Sequence, residues 1–347
     1  MTILDSIETL PFDAKIRAQS AYSALQYVDL MIDDFLVRTA KNKADILLDV
    51  FGVLQGLFVA IDGLYQLSFA TTKYKYHINI NQNRTLRLLK YLRNDVVGHP
   101  TNRSYSDGTF GFSLILEDEI TKDHLSYVTY IMRNKDITQS KETIYFDKLI
   151  QAYKKEKSQA LKDLENYLHR QPSKIETTGY IVQLFEKASI NSLDVELLSK
   201  IRREFLREQN LSEDSNNRFI FRLDLLKSTF NWKDSKFQDV IHYIVLKQIL
   251  SLYKMNLDLS DKKIRIPVVE LPTLLKTLKK EIQSNAKKRS LITHLNDTDY
   301  PMFQNDLEQL IYQVNDPMVK EFLNWFKKIS DNNHKFLVGK TIKDILS

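Results

Sequence analysis

The chain has 347 residues and no cysteine, which excludes disulfide frameworks, thiolate metal sites and a cysteine nucleophile. With 43% hydrophobic residues, 17 Tyr and 18 Phe it can build a generous core, and only 8 Gly and 7 Pro argue for long helices and against a sandwich or barrel. Its net charge of +6 lies in the second half: residues 1–150 hold 17 Lys and Arg against 18 Asp and Glu, whereas residues 151–347 hold 33 against 26.

In chain order, the N-terminal MTILDSIETLPFD lacks a basic stretch followed by an apolar core, so no signal peptide is expected. Ala14, Ala18, Ala21, Leu25, Val28, Ile32 and Phe35 recur at three- and four-residue spacing and predict a helix from Asp13 to about Thr39. A second helix is predicted over about 44–70, striped by Ile46, Val50, Leu54, Leu57, Ile61, Leu64 and Leu67. Asp49, Gln55, Asp62 and Gln66 interrupt this apolar stretch, which predicts a buried helix rather than a membrane span and no membrane association; the lack of cysteine fits a reducing compartment, and a cytoplasmic protein is expected. The short link between the two helices favours an antiparallel pair.

A polar connector over 71–83 leads to a third helix, about 84–97, with Leu86, Leu89, Leu92 and Val96 as its stripe; Gly98 and Pro100 end it. Alternation in 109–116 and β-branched and aromatic enrichment in 125–132 predict an inserted β-hairpin at about 109–132. A fourth long helix is expected over about 143–169, completing a four-helix unit over 1–170. Pro172 and Ser173 mark a boundary, after which the pattern predicts a C-terminal helical domain, 171–347, with helices at about 176–188, 192–209, 217–230, 235–256, 271–287, 303–314, 317–329 and 337–346. The predicted fold class is therefore all-α, an antiparallel helical bundle with an inserted β-hairpin followed by a helical domain.

Phosphate-cradling Gly-rich loops, HExxH and GxSxG are absent, and no two of the seven histidines have helical metal-ligand spacing. No cofactor is expected. One segment concentrates chemistry where a helix stops: Tyr91-Leu92-Arg93-Asn94-Asp95-Val96-Val97-Gly98-His99-Pro100. Histidine exchanges protons near neutral pH, arginine presents a permanent cationic fork that fits phosphate oxygens, and asparagine both donates and accepts. Together they suit cleavage of an RNA phosphodiester by its own 2′-hydroxyl, with no metal needed in principle. On an ideal helix Arg93 and His99 would stand about 120° apart. Because Gly98 and Pro100 end the helix, His99 is free to turn back towards Arg93, and Asp95 could orient it.

The string RNDVVGHP resembles the signature of the HEPN superfamily: an arginine, a polar residue directly after it, and a histidine four to six residues on. The expected context, a bundle of four to five helices with the motif late in the third, also resembles that family, over roughly residues 12–170. The resemblance implies catalytic roles for Arg93, Asn94 and His99, and a metal-independent endoribonuclease in a toxin or phage-defence setting. It also implies RNA as substrate, a homodimer formed through the bundle, and room for a restraining inhibitor or antitoxin protein. Residues 171–347 carry no such resemblance.

A plainer reading competes at each feature. Gly-His-Pro is also a good helix stop, which accounts for the glycine and proline but leaves the asparagine without a role. Arg84, Arg87 and Lys90, and the second-half clusters Arg202/Arg203/Arg207, Lys276/Lys279/Lys280 and Lys287/Lys288/Arg289, could track an RNA backbone or be solvated surface. Tyr105, Phe110 and Phe112 could stack on bases or pack the hairpin, and Trp232 and Trp325 read as core anchors. The alternative to an enzyme is a catalytically silent bundle that dimerises and binds RNA or a partner protein.

Overall fold

The computed structural model describes residues 2–346 apart from 82, 99, 102, 105–108, 134–135, 171–175, 191–192, 258–267 and 284. The described chain is mostly helical, with one small antiparallel sheet, and it divides into two compact units. The first gathers Met1–Ser104, Phe110–Lys174 and also Phe205–Phe221, which lies well beyond residue 170; the second takes most of the remainder. The Pro172-Ser173 boundary signal lies outside the described residues.

The first unit opens with a short helix that the periodicity does not announce, α1 (Ile3–Glu8). It is set by a capping box: the Thr2 side chain accepts from the Asp5 amide, and the Asp5 carboxylate accepts from the Thr2 amide at 2.6 Å. Then come α2 (Phe12–Val37) and α3 (Lys43–Thr72), the latter started by Asn42, whose side chain accepts from the Asp45 amide. The predicted stripes face one another: Ala18, Ala21, Leu25, Val28, Ile32 and Phe35 on α2 and Val50, Leu54, Leu57, Ile61, Leu64 and Leu67 on α3 are all buried. Arg38 pairs with Asp49, Gly56 lies under Met31 and Gly63 under the Ala21 carbonyl, so the two helices run antiparallel. By length and composition α3 could also cross a membrane, since its most apolar 18-residue window has a mean hydropathy of 1.9. In this fold it is the helix around which α2, α4 (Arg84–Leu92) and α5 (Phe146–Leu168) assemble.

The inserted element is larger than a hairpin. A two-residue β1 (Arg103–Ser104) and three long strands, β2 (Phe110–Ile120), β3 (His124–Arg133) and β4 (Asp136–Tyr145), form an antiparallel meander in the order β1-β2-β3-β4. The segment 117–120, which lies between the two predicted strands, continues β2, and 143–145, expected to begin a helix, ends β4; α5 starts at Phe146. Thr138, Ser140 and Glu142 gave β4 no apolar alternation to read, because it is an edge strand with little burial. One face, with Leu125, Tyr127, Thr129 and Ile131, is buried. The opposite face carries Phe110, Phe112 and Leu114 in register with Met132, Tyr130 and Val128. Phe110 and Phe112 therefore do not pack a hairpin core; they are 47% and 37% exposed. Tyr105 lies outside the described residues.

A buried polar cluster holds residues 205–221 in the first unit. Gln159 Nε2 donates to Asp163 at 2.8 Å and to the Ser212 hydroxyl at 3.0 Å, the Asn79 amide donates to the Asn216 carbonyl, and Phe205 stacks on Phe219 at 3.9 Å. Asp163 has no exposed surface, and burial pushes its carboxyl above the usual range. Burial likewise pushes the nearby Tyr76 hydroxyl up, with the Asp163 charge adding to the effect.

The second unit is helical: α6 (Thr177–Ser189), the start of α7 (Val195–Gln209), most of α8 (Arg218–Ser228), α9 (Gln238–Leu257), α10 (Thr273–Gln283), α11 (Ala286–Leu291), α12 (Phe303–Gln313), α13 (Pro317–Lys328) and α14 (Asn332–Asp344). The single helix expected over 271–287 is broken, with Asn285 capping α11 through the Lys287 and Lys288 amides. Trp232 and Trp325 stack at 5.8 Å, and His334 stacks on Trp232 at 4.1 Å.

Two predictions follow from packing. A Cβ at Gly339 would collide with the backbone at Leu295 and lie 2.8 Å from the Asn296 nitrogen. Gly339→Ala should therefore cost about 3 kcal/mol in a urea melt, because backbone on the far side has no room to give. Asp163 binds its proton more tightly folded than unfolded, so its contribution to stability is full below about pH 4 and is lost as pH rises through the raised folded value. Asp163→Asn should remove this part of the pH dependence, measured by melts from pH 4 to 8.

Candidate functional site

The site is built where α4 stops. Leu86, Leu89 and Leu92 are buried and fix the helix on the bundle; the Asn83 side chain caps its start through the Leu86 amide and donates to Glu156 at 2.9 Å. The helix expected over 84–97 is regular only to Leu92. From Arg93 to Gly98 it widens into a π turn, in which backbone bonds reach five residues back rather than four. This inserts one residue into the turn and brings Gly98, rather than Val97, over Arg93. Val96, 1% exposed, anchors the turn inward.

Gly98 does not take the left-handed conformation expected of a helix-ending glycine. Its role is close approach: a Cβ there would strike Arg93 Nη1 and lie 2.7 Å from Cζ. The Arg93 guanidinium is half-buried and lies against this backbone. Its Nε donates to Gln55 Oε1 at 3.0 Å, its Nη1 donates to Asn94 Oδ1 at 3.2 Å, and its Cζ lies 4.8 Å from the centre of the Phe58 ring. The structure thus brings Arg93 and Asn94 together as neighbours in one hydrogen-bonded unit. His99 lies outside the described residues. The residue after it is held in place: the Ser113 amide of β2 donates to the Pro100 carbonyl at 2.7 Å, so the sheet pins the loop that leaves the π turn.

Gln55 and Phe58 come from α3 and belong to no motif. Gln55 was visible in the sequence only as a polar interruption of an apolar helix. Two of these interruptions have partners, Asp49 in Arg38 and Gln55 in Arg93, whereas the Gln66 side-chain oxygen is buried without one among the described residues. A polar residue on the apolar stripe of a core helix costs burial energy unless something pairs with it, and that is the signal that could have pointed to Gln55.

The basic clusters fare unevenly. Arg84 and Lys90 on α4 are exposed, whereas Arg87 is half-buried. Arg202 pairs with Asp224 at 2.9 Å, and Lys288 is buried against Glu281 at 3.2 Å, so these two cations are taken by carboxylates. Among the described residues no group of three or more His, Asp or Glu side chains is placed to hold a metal ion. No family model matches this chain, and neither a curated protein nor a solved structure matches it.

Because the atoms that a Cβ at Gly98 would strike are the far end of a flexible side chain, Gly98→Ala should cost less than about 1 kcal/mol in a denaturant melt while driving the guanidinium off Gln55. The measurement is the Arg93 Nε–Hε resonance, which should lose its protection from solvent exchange.

Proposed function

We propose that this protein is a metal-independent endoribonuclease of the HEPN type, with Arg93, Asn94 and His99 as its catalytic residues. The observation that carries the reading is the held guanidinium: an arginine cradled by two side-chain amides and an aromatic ring, at the start of the π turn that follows α4 and six residues before His99 in sequence. An arginine engaged only for fold stability would be expected to meet a carboxylate. Here the acceptors, Gln55 Oε1 and Asn94 Oδ1, are neutral amides, so the positive charge is oriented without being neutralised.

In the proposed reaction His99 takes the proton of the RNA 2′-hydroxyl, and that oxygen attacks the adjacent phosphorus. Arg93 stabilises the negative charge that builds on the phosphoryl oxygens, and Asn94 orients Arg93. The bond to the 5′-oxygen breaks, and that oxygen takes a proton from a second histidine, which a homodimer would supply as the equivalent residue of the other copy. The products are a 2′,3′-cyclic phosphate and a 5′-hydroxyl.

Self-association through the bundle is supported by exposed apolar side chains on α2 and α3: Tyr27, Leu30 and Val37 on α2 are 67%, 68% and 80% exposed, and Leu48 and Val59 on α3 are 71% and 37% exposed. The same side chains also support the second reading, a silent dimeric scaffold that binds RNA or a partner protein. A toxin or phage-defence role, with an inhibitor or antitoxin holding the site in check, remains part of the proposal and accords with a cytoplasmic location.

The test is cleavage of total cellular RNA and tRNA with EDTA present. The protein should cleave, His99→Ala and Arg93→Ala should each lower the rate by at least about 100-fold, and the 3′ ends should carry cyclic phosphate. Cleavage unaffected by His99→Ala would move the active site elsewhere; RNA retention at low salt without cleavage would favour the scaffold.

A further inference from the structure

We propose that Gln55 and Phe58 are positioning residues that fix Arg93 in a single end-on orientation towards a phosphate; this rests on the reading that Arg93 meets the scissile phosphate. A guanidinium can offer a phosphate either its Nε edge or its two Nη groups. Gln55 Oε1 occupies the Nε edge at 3.0 Å. Asn94 Oδ1 takes one Nη1 hydrogen at 3.2 Å, which leaves the second Nη1 hydrogen and both Nη2 hydrogens with no acceptor among the described residues. Phe58 stands over the guanidinium with its ring centre 4.8 Å from Cζ, and the Gly98 backbone closes on Nη1 and Cζ. The plane of the fork and its open end are therefore set by α3, whose inner stripe is fixed in the core, and not by the mobile end of the arginine side chain.

The amide chemistry of Gln55 matters. A carboxylate at this place would hold the same Nε hydrogen but form an ion pair, and it would compete with phosphate for the charge. Glutamine orients without competing. This separates a positioning role from a packing role, because glutamate and glutamine have nearly the same shape.

The experiment uses the full-length protein labelled with 15N-arginine, with the Arg93 Nε–Hε signal assigned from Arg93→Lys, and titrates inorganic phosphate. In the parent, that signal should be protected from exchange and should shift saturably with phosphate. Gln55→Met should abolish the protection and weaken phosphate on the order of tenfold. Gln55→Glu should keep the protection yet weaken phosphate by at least as much. Phe58→Leu should retain the Nε bond and weaken phosphate by a smaller factor. Melts would confirm that each variant is folded. An Arg93 signal that ignores phosphate in the parent, or that behaves alike in the parent and Gln55→Met, would overturn the proposal. A parent that binds phosphate as described but cleaves no RNA would leave the positioning role standing and bring down the nuclease reading, so the two can fail separately.

Discussion

The burial of one α3 stripe against α2 is the constraint on which the first unit depends. Val50, Leu54, Leu57, Ile61, Leu64 and Leu67 are at most 4% exposed, and each such side chain contributes roughly 1.5–3 kcal/mol relative to water. Close approach at Gly56 and Gly63 lets the pair interlock. Once that stripe is fixed, the rotation of α3 is fixed too, and with it the direction in which Gln55 and Phe58 project. The arginine cradle is thus a consequence of core packing: the same helix that supplies the hydrophobic seam supplies the groups that hold Arg93.

The sheet and the π turn complete the placement from the other side. β2 donates from Ser113 to the Pro100 carbonyl, which fastens the chain immediately after His99. The π turn spends one extra residue between Arg93 and Gly98, so that a glycine, the only residue with no side chain to obstruct it, faces the guanidinium. A regular helix would have put Val97 there, and its branched side chain would have pushed the arginine away.

The two units contribute differently to the functional picture. The first contains Arg93, Asn94 and the residues on either side of position 99, together with the exposed apolar side chains on α2 and α3. The second holds much of the basic excess seen in the sequence, yet some of those cations are committed to carboxylates, as Arg202 is to Asp224 and Lys288 to Glu281. A count of charges in a sequence cannot distinguish a cation offered to a partner from one already paired within the fold.

What could be read from the sequence alone were the features with a local cause. The long helices α2, α3 and α5 follow from apolar side chains recurring at helical spacing, and the Arg93-Asn94 pair follows from adjacency. β4 escaped because an edge strand with polar residues on both faces carries no period-two signal, and the break at Asn285 escaped because Lys-rich helices read smoothly across a cap. The π turn, the role of Gly98 and the partnership of Gln55 with Arg93 were decided only by tertiary structure. Each depends on residues separated by many positions meeting at one point: Gln55 lies 38 residues before Arg93, and nothing local to either says that they will share a hydrogen bond. Periodicity reports which face of a helix turns inward, whereas the identity of what waits on that face is settled by how the helices pack.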